Sequence, residues 1–560
     1  MRFTWLILAA LILAQVESQD LKQQGLVLFE QAEFALRKES DPARLAHGAI
    51  VLAGLMKDID AGRSEALLRQ AVQALSELRS EGAMERAGRL PGKTPRVLFR
   101  SPYDAEQLWQ KLLEQSVGLR TDLVREFLAQ MKAGDQWKAD LLSRLARSVK
   151  DDEGTVSELV EMSLSYAISY STVSLLFHLR EKDPERGRAI FRSALARAAR
   201  QGDLDGLYWL GAYAIPGINL PNRFPLSNPP PADPMLSRVY IRTLIDALSK
   251  EILQGQKVRA HMYRALINIR PYAEQLTPDV VSRIDSLLTL VVSRLPSEAI
   301  AEAEQGDLER RAPDTEKIED LERKAQTATD NKTHDDLMAY AAFRALMSSD
   351  FERALTLASR LKDQAIRGEM TDYIHFRAAA ELTEKVQLEQ AEAHALRIEH
   401  PERLAVAVST VLQKLSDKDH APILIAQAES RIERLQTSGA KGRAFLYLAG
   451  PVMAFDENQG RRFLNRAIDL FNATKADLNG ALDSVIRIET GEFATGYVIG
   501  SSDLSPVVIE VFKKLTAADP ELIQAPVLAA RWESAEIRAI AQAAVARTLL
   551  DKVKQRSRSP

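Results

Sequence analysis

The stretch Leu404-Ala405-Val406-Ala407-Val408-Ser409-Thr410-Val411-Leu412-Gln413-Lys414-Leu415 decides the fold class. Leu404, Ala407, Val408, Val411, Leu412 and Leu415 fall at i, i+3, i+4, i+7, i+8 and i+11, which is one face of an α-helix. Ile537, Ile540, Ala541, Ala544 and Val545 repeat the first five of those spacings. Thr548 interrupts the stripe and Leu549 carries it on. The same period runs through most of the chain. Strict two-residue alternation is missing, apart from an ambiguous patch at Tyr497-Val498-Ile499.

Start signals punctuate these stripes. Asp41-Pro42, Asp183-Pro184 and Asp519-Pro520 set a capping carboxylate before a proline, with His400-Pro401-Glu402 a weaker version. The carboxylate accepts from orphan N–H groups, and proline at the first helical position loses no bond. Glu185 and Glu521 follow, favoured by the positive end of the helix dipole. The connections are short, so successive helices are expected to pack antiparallel. Four stretches interrupt the helices: Gly88 to Pro102, Ile215 to Pro234 with seven prolines, Arg310 to Asp336, and Glu489 to Pro506.

Composition agrees with helix-on-helix packing. Hydrophobic residues make up 46% and aromatic ones only 6% of 560, so small and unbranched side chains fill the cores. Lys+Arg 74 against Asp+Glu 77 leaves a net charge of −3, which gives no field for nucleic acid. Cysteine is absent, which removes disulfides, thiolate nucleophiles and thiolate metal sites.

At the N-terminus, Arg2 precedes an apolar run from Trp5 to Ala14, followed by small side chains at Val16 and Ser18. This reads as a secretory signal peptide over residues 1–18, cleaved near Ser18, and predicts a secreted or periplasmic mature chain. The run is too short for a bilayer span of roughly 20 residues, and no later stretch is long and apolar enough.

An internal similarity links Asp60, Asp183 and Asp456. A small residue follows at +4 (Ser64, Gly187, Gly460), then apolar pairs at +7 and +8, and alanine at +11 (Ala71, Ala194, Ala467). The expected physics is an N-cap, a small residue where the neighbouring helix crosses, and a core stripe. This pattern resembles the second helix of a tetratricopeptide repeat. Leu337 to Leu361 is the fullest match, with Leu337-Met338-Ala339-Tyr340-Ala341-Ala342-Phe343 as first helix and Ser349-Asp350-Phe351-Glu352-Arg353-Ala354-Leu355 as turn and second helix. Other first helices lack that family's Trp, Leu-Gly and Tyr positions, and no steady 34-residue period appears. Trp532-Glu533-Ser534-Ala535-Glu536-Ile537-Arg538-Ala539 resembles a HEAT-type second helix instead. The resemblance implies an all-α fold, an irregular right-handed α-solenoid of stacked antiparallel helical hairpins. The expected plan is a signal peptide at 1–18, helical hairpins at 19–90, and a middle helical region at 103–308 with the proline-rich loop 215–234. A charged linker at 309–336, tetratricopeptide-like repeats at 337–488 and HEAT-like helices at 505–552 complete it.

Catalytic, cofactor and metal sites are expected to be absent. Ala87-Gly88-Arg89-Leu90-Pro91-Gly92-Lys93-Thr94 meets a relaxed phosphate-loop pattern, but a helical stripe precedes it and Pro95 turns Thr94 from helical geometry, so it reads as a basic loop. None of the eight histidines has the spacing that sets two metal ligands on one helical face, and His178 reads as a packed or rim residue. There is no Gly-x-Ser-x-Gly elbow. The expected role is an exported, non-enzymatic scaffold binding another protein, with an α/α-barrel enzyme acting on a polysaccharide as the alternative. Tyr208, Trp209, Tyr213, Arg223 and Phe224, around the proline-rich loop, are the candidate contact residues.

Overall fold

The computed structural model describes residues 2–78, 97–99, 103–149, 152–215, 218, 233–254, 258–296, 298–300, 317–415, 419–480, 484–490, 493–498, 503–519 and 523–556. Among them the chain is almost wholly helical. Its first helices are α1 (Arg2–Leu36), α2 (Pro42–Met56), α3 (Ala61–Glu77) and α4 (Ala105–Val117). There follow α5 (Thr121–Gln130), α6 (Asp135–Ser148), α7 (Glu153–Tyr166), α8 (Tyr170–Lys182) and α9 (Pro184–Gln201). Next come α10 (Leu204–Ala214), α11 (Pro234–Leu253), α12 (Ala260–Leu276), a 3-10 turn (Pro278–Val280) and α13 (Val281–Arg294). After residue 316 lie α14 (Ile318–Thr327), α15 (Asn331–Met347), α16 (Phe351–Ser359), α17 (Gln364–Glu384), α18 (Leu388–Ala395) and α19 (Pro401–Lys414). The series ends with α20 (Ala421–Glu433), α21 (Gly439–Met453), α22 (Glu457–Thr474), α23 (Ser505–Ala518), α24 (Gln524–Ala530) and α25 (Ala535–Arg556).

Two compact units emerge, one of residues 1–115 with 316–560 and one of 116–315. In the second, helices from α6 to α13 pack on the next helix and often on the next but one, and α5 packs on α7. In the first, α15, α17, α19, α21, α23 and α25 alternate with α16, α18, α20, α22 and α24 in the same way. Each unit is thus a stack of helical hairpins, in which a helix meets its near neighbours in sequence, and the all-α solenoid class holds. Among the described residues, the larger unit departs from this local order in two places: α15 and α17 meet strands at Ser484–Thr490 and Val97–Phe99, and the first hairpins meet α25. α1 and α2 pack on α25, so the first hairpins of the chain extend the stack beyond its last helix.

The Asp60, Asp183 and Asp456 pattern acts as its chemistry suggests. These carboxylates accept from the backbone N–H groups of Arg63, Arg186 and Gln459 and cap α3, α9 and α22. The small residue at +4 lies where the preceding helix crosses. Ser64 donates to the Ala53 carbonyl at 2.9 Å, and a Cβ on Gly187 would stand 3.3 Å from the Arg180 backbone. At Gly460 a Cβ would lie 2.7 Å from Met453 N and 2.9 Å from Ala449 O, both backbone atoms that cannot turn aside. Gly460→Ala is therefore expected to destabilise the protein by about 1–3 kcal/mol in denaturant melts. Gly368→Ala, within α17 and with no atom inside 4 Å, is expected to be neutral or stabilising by about 1 kcal/mol.

A repeat of 37 residues, longer than the tetratricopeptide period, links the α15–α16 and α17–α18 hairpins. Asp335 accepts from the N–H groups of Lys362 (2.8 Å) and Asp363 (2.7 Å), where the chain enters α17. Asp372 does the same for Glu399 (3.0 Å) and His400 (2.8 Å) at the entry to α19. Ala341, Ala342, Ala354 and Ala358 recur as Ala378, Ala379, Ala391 and Ala395, all buried. Ser349 and Val386 occupy the same left-handed turn position, each with φ 59°.

Three sequence expectations about these elements need correction. Residues 309–336 were expected to be a charged linker, but α14 and the start of α15 lie within them, with Leu321 and Ala325 buried. Helix was expected from 337 to 488, but α22 ends at Thr474, and Ser484–Thr490 forms a strand. Val485, Ile486 and Ile488 supply the β-branched residues that favour it. That strand pairs antiparallel with Val97–Phe99 on one side and Phe493–Val498 on the other, a small sheet added to the helical stack. Asp519 was expected to cap a helix at Pro520, which lies outside the described residues. Its carboxylate reaches forward to the N–H groups of Gln524 and Ala525, at 2.7 and 3.1 Å, where α24 begins.

Candidate functional site

The aromatic cluster expected at a contact surface lies largely in the core of the smaller unit. Tyr213 is fully buried, stacked on Phe191 with ring centroids 4.9 Å apart and overlaid by the Arg180 guanidinium. Tyr208 is 2% exposed, with its ring against His261 and its phenol pushed up by burial. Neither can offer its ring to a partner, because α10 turns that face toward its neighbours in the stack. Trp209 is half-buried. Arg223 and Phe224, most of the proline-rich loop, and the basic loop at 87–94 lie outside the described residues. His178 is exposed at the rim.

A polar cluster that no local spacing marks lies in the larger unit. His47, on α2, is wholly buried between two carboxylates. Its Nδ1 lies 2.5 Å from Glu536 Oε1, and its Nε2 3.3 Å from Asp503 Oδ2. Tyr103 donates its hydroxyl to Glu536 Oε2 at 2.9 Å and accepts from the Leu478 N–H. Lys111, on α4, pairs with Asp503, and Asp503 Oδ1 also accepts from the Ser505 N–H. Burial alone would push the His47 imidazolium down. Hydrogen bonds to Asp503 and Glu536, and the charges of both, outweigh burial and raise it to about 9. Asp503 is held well below the usual carboxylate range, because His47 and Lys111 outweigh its burial.

Chemically this cluster holds rather than reacts. Both ring nitrogens of His47 are engaged, Glu536 is fully buried, and burial and the nearby carboxylates push Tyr103 far from ionising. It is a clasp that joins α2, the segment before α23, and α25. Its members stand 456 and 489 residues apart in sequence, so no local spacing could reveal it. The one available hint was a titratable residue on an apolar helix, His47 within Ala46-His47-Gly48-Ala49-Ile50.

An open groove runs along α20. Leu396, Pro422, Ile423 and Ala426 line its apolar end, and Arg431 and Arg434 its basic end, around about 710 Å³. Ile423 is 53% exposed there. Among the described residues, no group of three histidine or acidic side chains could hold a metal ion, and no helix is long and apolar enough to cross a membrane.

Comparison with known proteins adds little. No family model matches the chain, and no curated protein matches it. One solved structure is a circular tandem repeat protein with novel repeat topology and enhanced subunit contact surfaces. It aligns over 96% of this chain and 99% of its own at 12% identity, with a TM-score of 0.12. An overlap that slight says nothing about fold or function. The class rests on the packing itself: this is a helical-repeat protein of the α-solenoid type.

Proposed function

We propose that the chain is an exported, non-enzymatic helical-repeat scaffold that binds another protein along α20, in the cell envelope or outside the cell. The observation that carries this reading is the groove, an uncovered apolar strip with a charged end on the flank of a hairpin stack. Repeat stacks use extended surfaces of this kind for macromolecular partners. The distribution of buried carboxylates supports it over an enzyme acting on a polysaccharide. Asp335, Asp372 and Asp519 bind backbone N–H groups, Glu402 binds Arg443, and Glu536 binds His47 and Tyr103, at different levels of the stack. A glycosidase needs two carboxyl groups flanking one bond.

Export rests on the signal-like N-terminus. Among the residues of α1 whose side chains are described, 19–36, the buried ones include Leu21, Leu28, Phe29 and Ala32, and a chain cleaved after Ser18 keeps them. N-terminal sequencing of the native protein is expected to read from near Gln19, and a retained Met1 would refute export. Photo-crosslinking from position 427, on the groove wall, is expected to join the protein to one partner in the native cell. Ile423→Asp should abolish that product, and a crosslink indifferent to Ile423→Asp would refute the groove as the binding face.

A further inference from the structure

We infer that the α20 groove takes an acidic amphipathic helix of a partner protein, an inference that rests on the scaffold reading above. α20 is polarised in charge. Its two carboxylates turn away from the groove: Glu429 lies 2.9 Å from Arg462, and Glu433 pairs with Lys441 (2.6 Å) and Arg466 (3.3 Å). At the start of the helix His420 is held by Glu392 at 2.7 Å. The groove flank keeps only cations. Arg431 donates to the Ile398 carbonyl, and among the described residues neither it nor Arg434 meets a carboxylate within ion-pair distance.

Cations in the last turn of a helix suit its dipole, and this accounts for Arg431 and Arg434 alone. It does not account for Pro422 and Ile423 remaining exposed two to three turns away, with Leu396 only partly buried beside them. On α19, α21 and α22, the guanidinium groups of Arg403, Arg443 and Arg466 each have a carboxylate. An apolar strip that ends in two cations free of carboxylates complements a helix with leucine-like residues on one face and carboxylates toward one end. This is the helix-in-groove mode, in which apolar anchors supply affinity and charge sets direction and choice of partner.

The test uses the mature chain and two labelled synthetic helix-forming peptides, one with leucine and glutamate faces and one with lysine in place of every glutamate. Fluorescence anisotropy at low salt is expected to show binding of the glutamate peptide and not of the lysine peptide. Arg434→Glu should weaken the glutamate peptide roughly tenfold, since an attraction becomes a repulsion, and should give the lysine peptide measurable affinity. Ile423→Asp should weaken the glutamate peptide by a similar factor. Arg434 is exposed and makes no ion pair among the described residues, so unchanged melting of Arg434→Glu serves as the folding control. Equal binding of the two peptides, or a glutamate peptide indifferent to Arg434→Glu, would overturn the inference. So would no binding of either peptide. In that case a crosslink from position 427 that Ile423→Asp removes would leave the scaffold reading standing, and its absence would remove both.

Discussion

Glu536→Ala is expected to destabilise the larger unit by about 3–5 kcal/mol, the usual result of stripping one partner from a buried ion pair. The substitution leaves the His47 imidazolium facing only Asp503 and leaves the Tyr103 hydroxyl without its acceptor. The measurement is denaturant unfolding of the protein, with limited proteolysis between α1 and α3 as a local readout. Those helices should become cleavable at denaturant concentrations that leave α15 to α22 protected. His47→Leu combined with Glu536→Leu should recover much of the loss, because the pair is then removed together with its desolvation. A single-substitution loss under 1 kcal/mol would show that the clasp carries no weight.

The second large effect is alkaline. His47 rises from 6.5 in the unfolded chain to about 9 in the fold, so folding takes up a proton between those values. Its contribution is fully present below pH 6.5 and is lost as the pH climbs through 9, about 3 kcal/mol in all. On the acid side the sign reverses. His375, which shares an Nδ1–Nδ1 hydrogen bond of 2.9 Å with His394, is lowered to about 4, first by burial and then by His394. His400 is lowered to about 4 as well, chiefly by burial. Both stay neutral in the fold, so stability falls as the pH drops from 6.5 toward 4. Asp503 adds to the loss below its ordinary range. Melting temperature against pH should therefore peak between pH 6 and 7. In His47→Leu the alkaline limb should flatten while the acid limb remains, and an unchanged alkaline limb would assign it elsewhere.

The helical stack was open to sequence reading because local rules produce it. The stripe from Leu404 to Leu412 is buried as its spacing requires, as is that from Ile537 to Val545. The caps at Asp41 and Asp183 bond as their Asp-Pro pairs imply. Asp519 escaped because its bonds reach five and six residues ahead, beyond any cap rule. The 37-residue repeat escaped because its marks are a loop-clamping aspartate and four alanines, residues too common to stand out. Tyr208 and Tyr213 misled for a different reason. Aromatics next to a proline-rich segment suit both a contact surface and a packed helix end, and composition does not separate the two. The clasp was invisible because its geometry depends on α2 meeting α25, a contact set by tertiary packing alone.

That meeting of α1, α2 and α25 also bears on how the protein is made. A helical stack whose neighbours in space are neighbours in sequence can assemble progressively as the chain emerges from the ribosome or a translocon. Here the first hairpins to appear find their docking surface only when Ala535–Arg556 has followed. Until then Leu28, Phe29 and Leu36 have no α25 against which to bury. The larger unit is therefore closed only by α25, and α1 and α2 must remain in an unfinished state, open to chaperones, until residues 535–556 have been made.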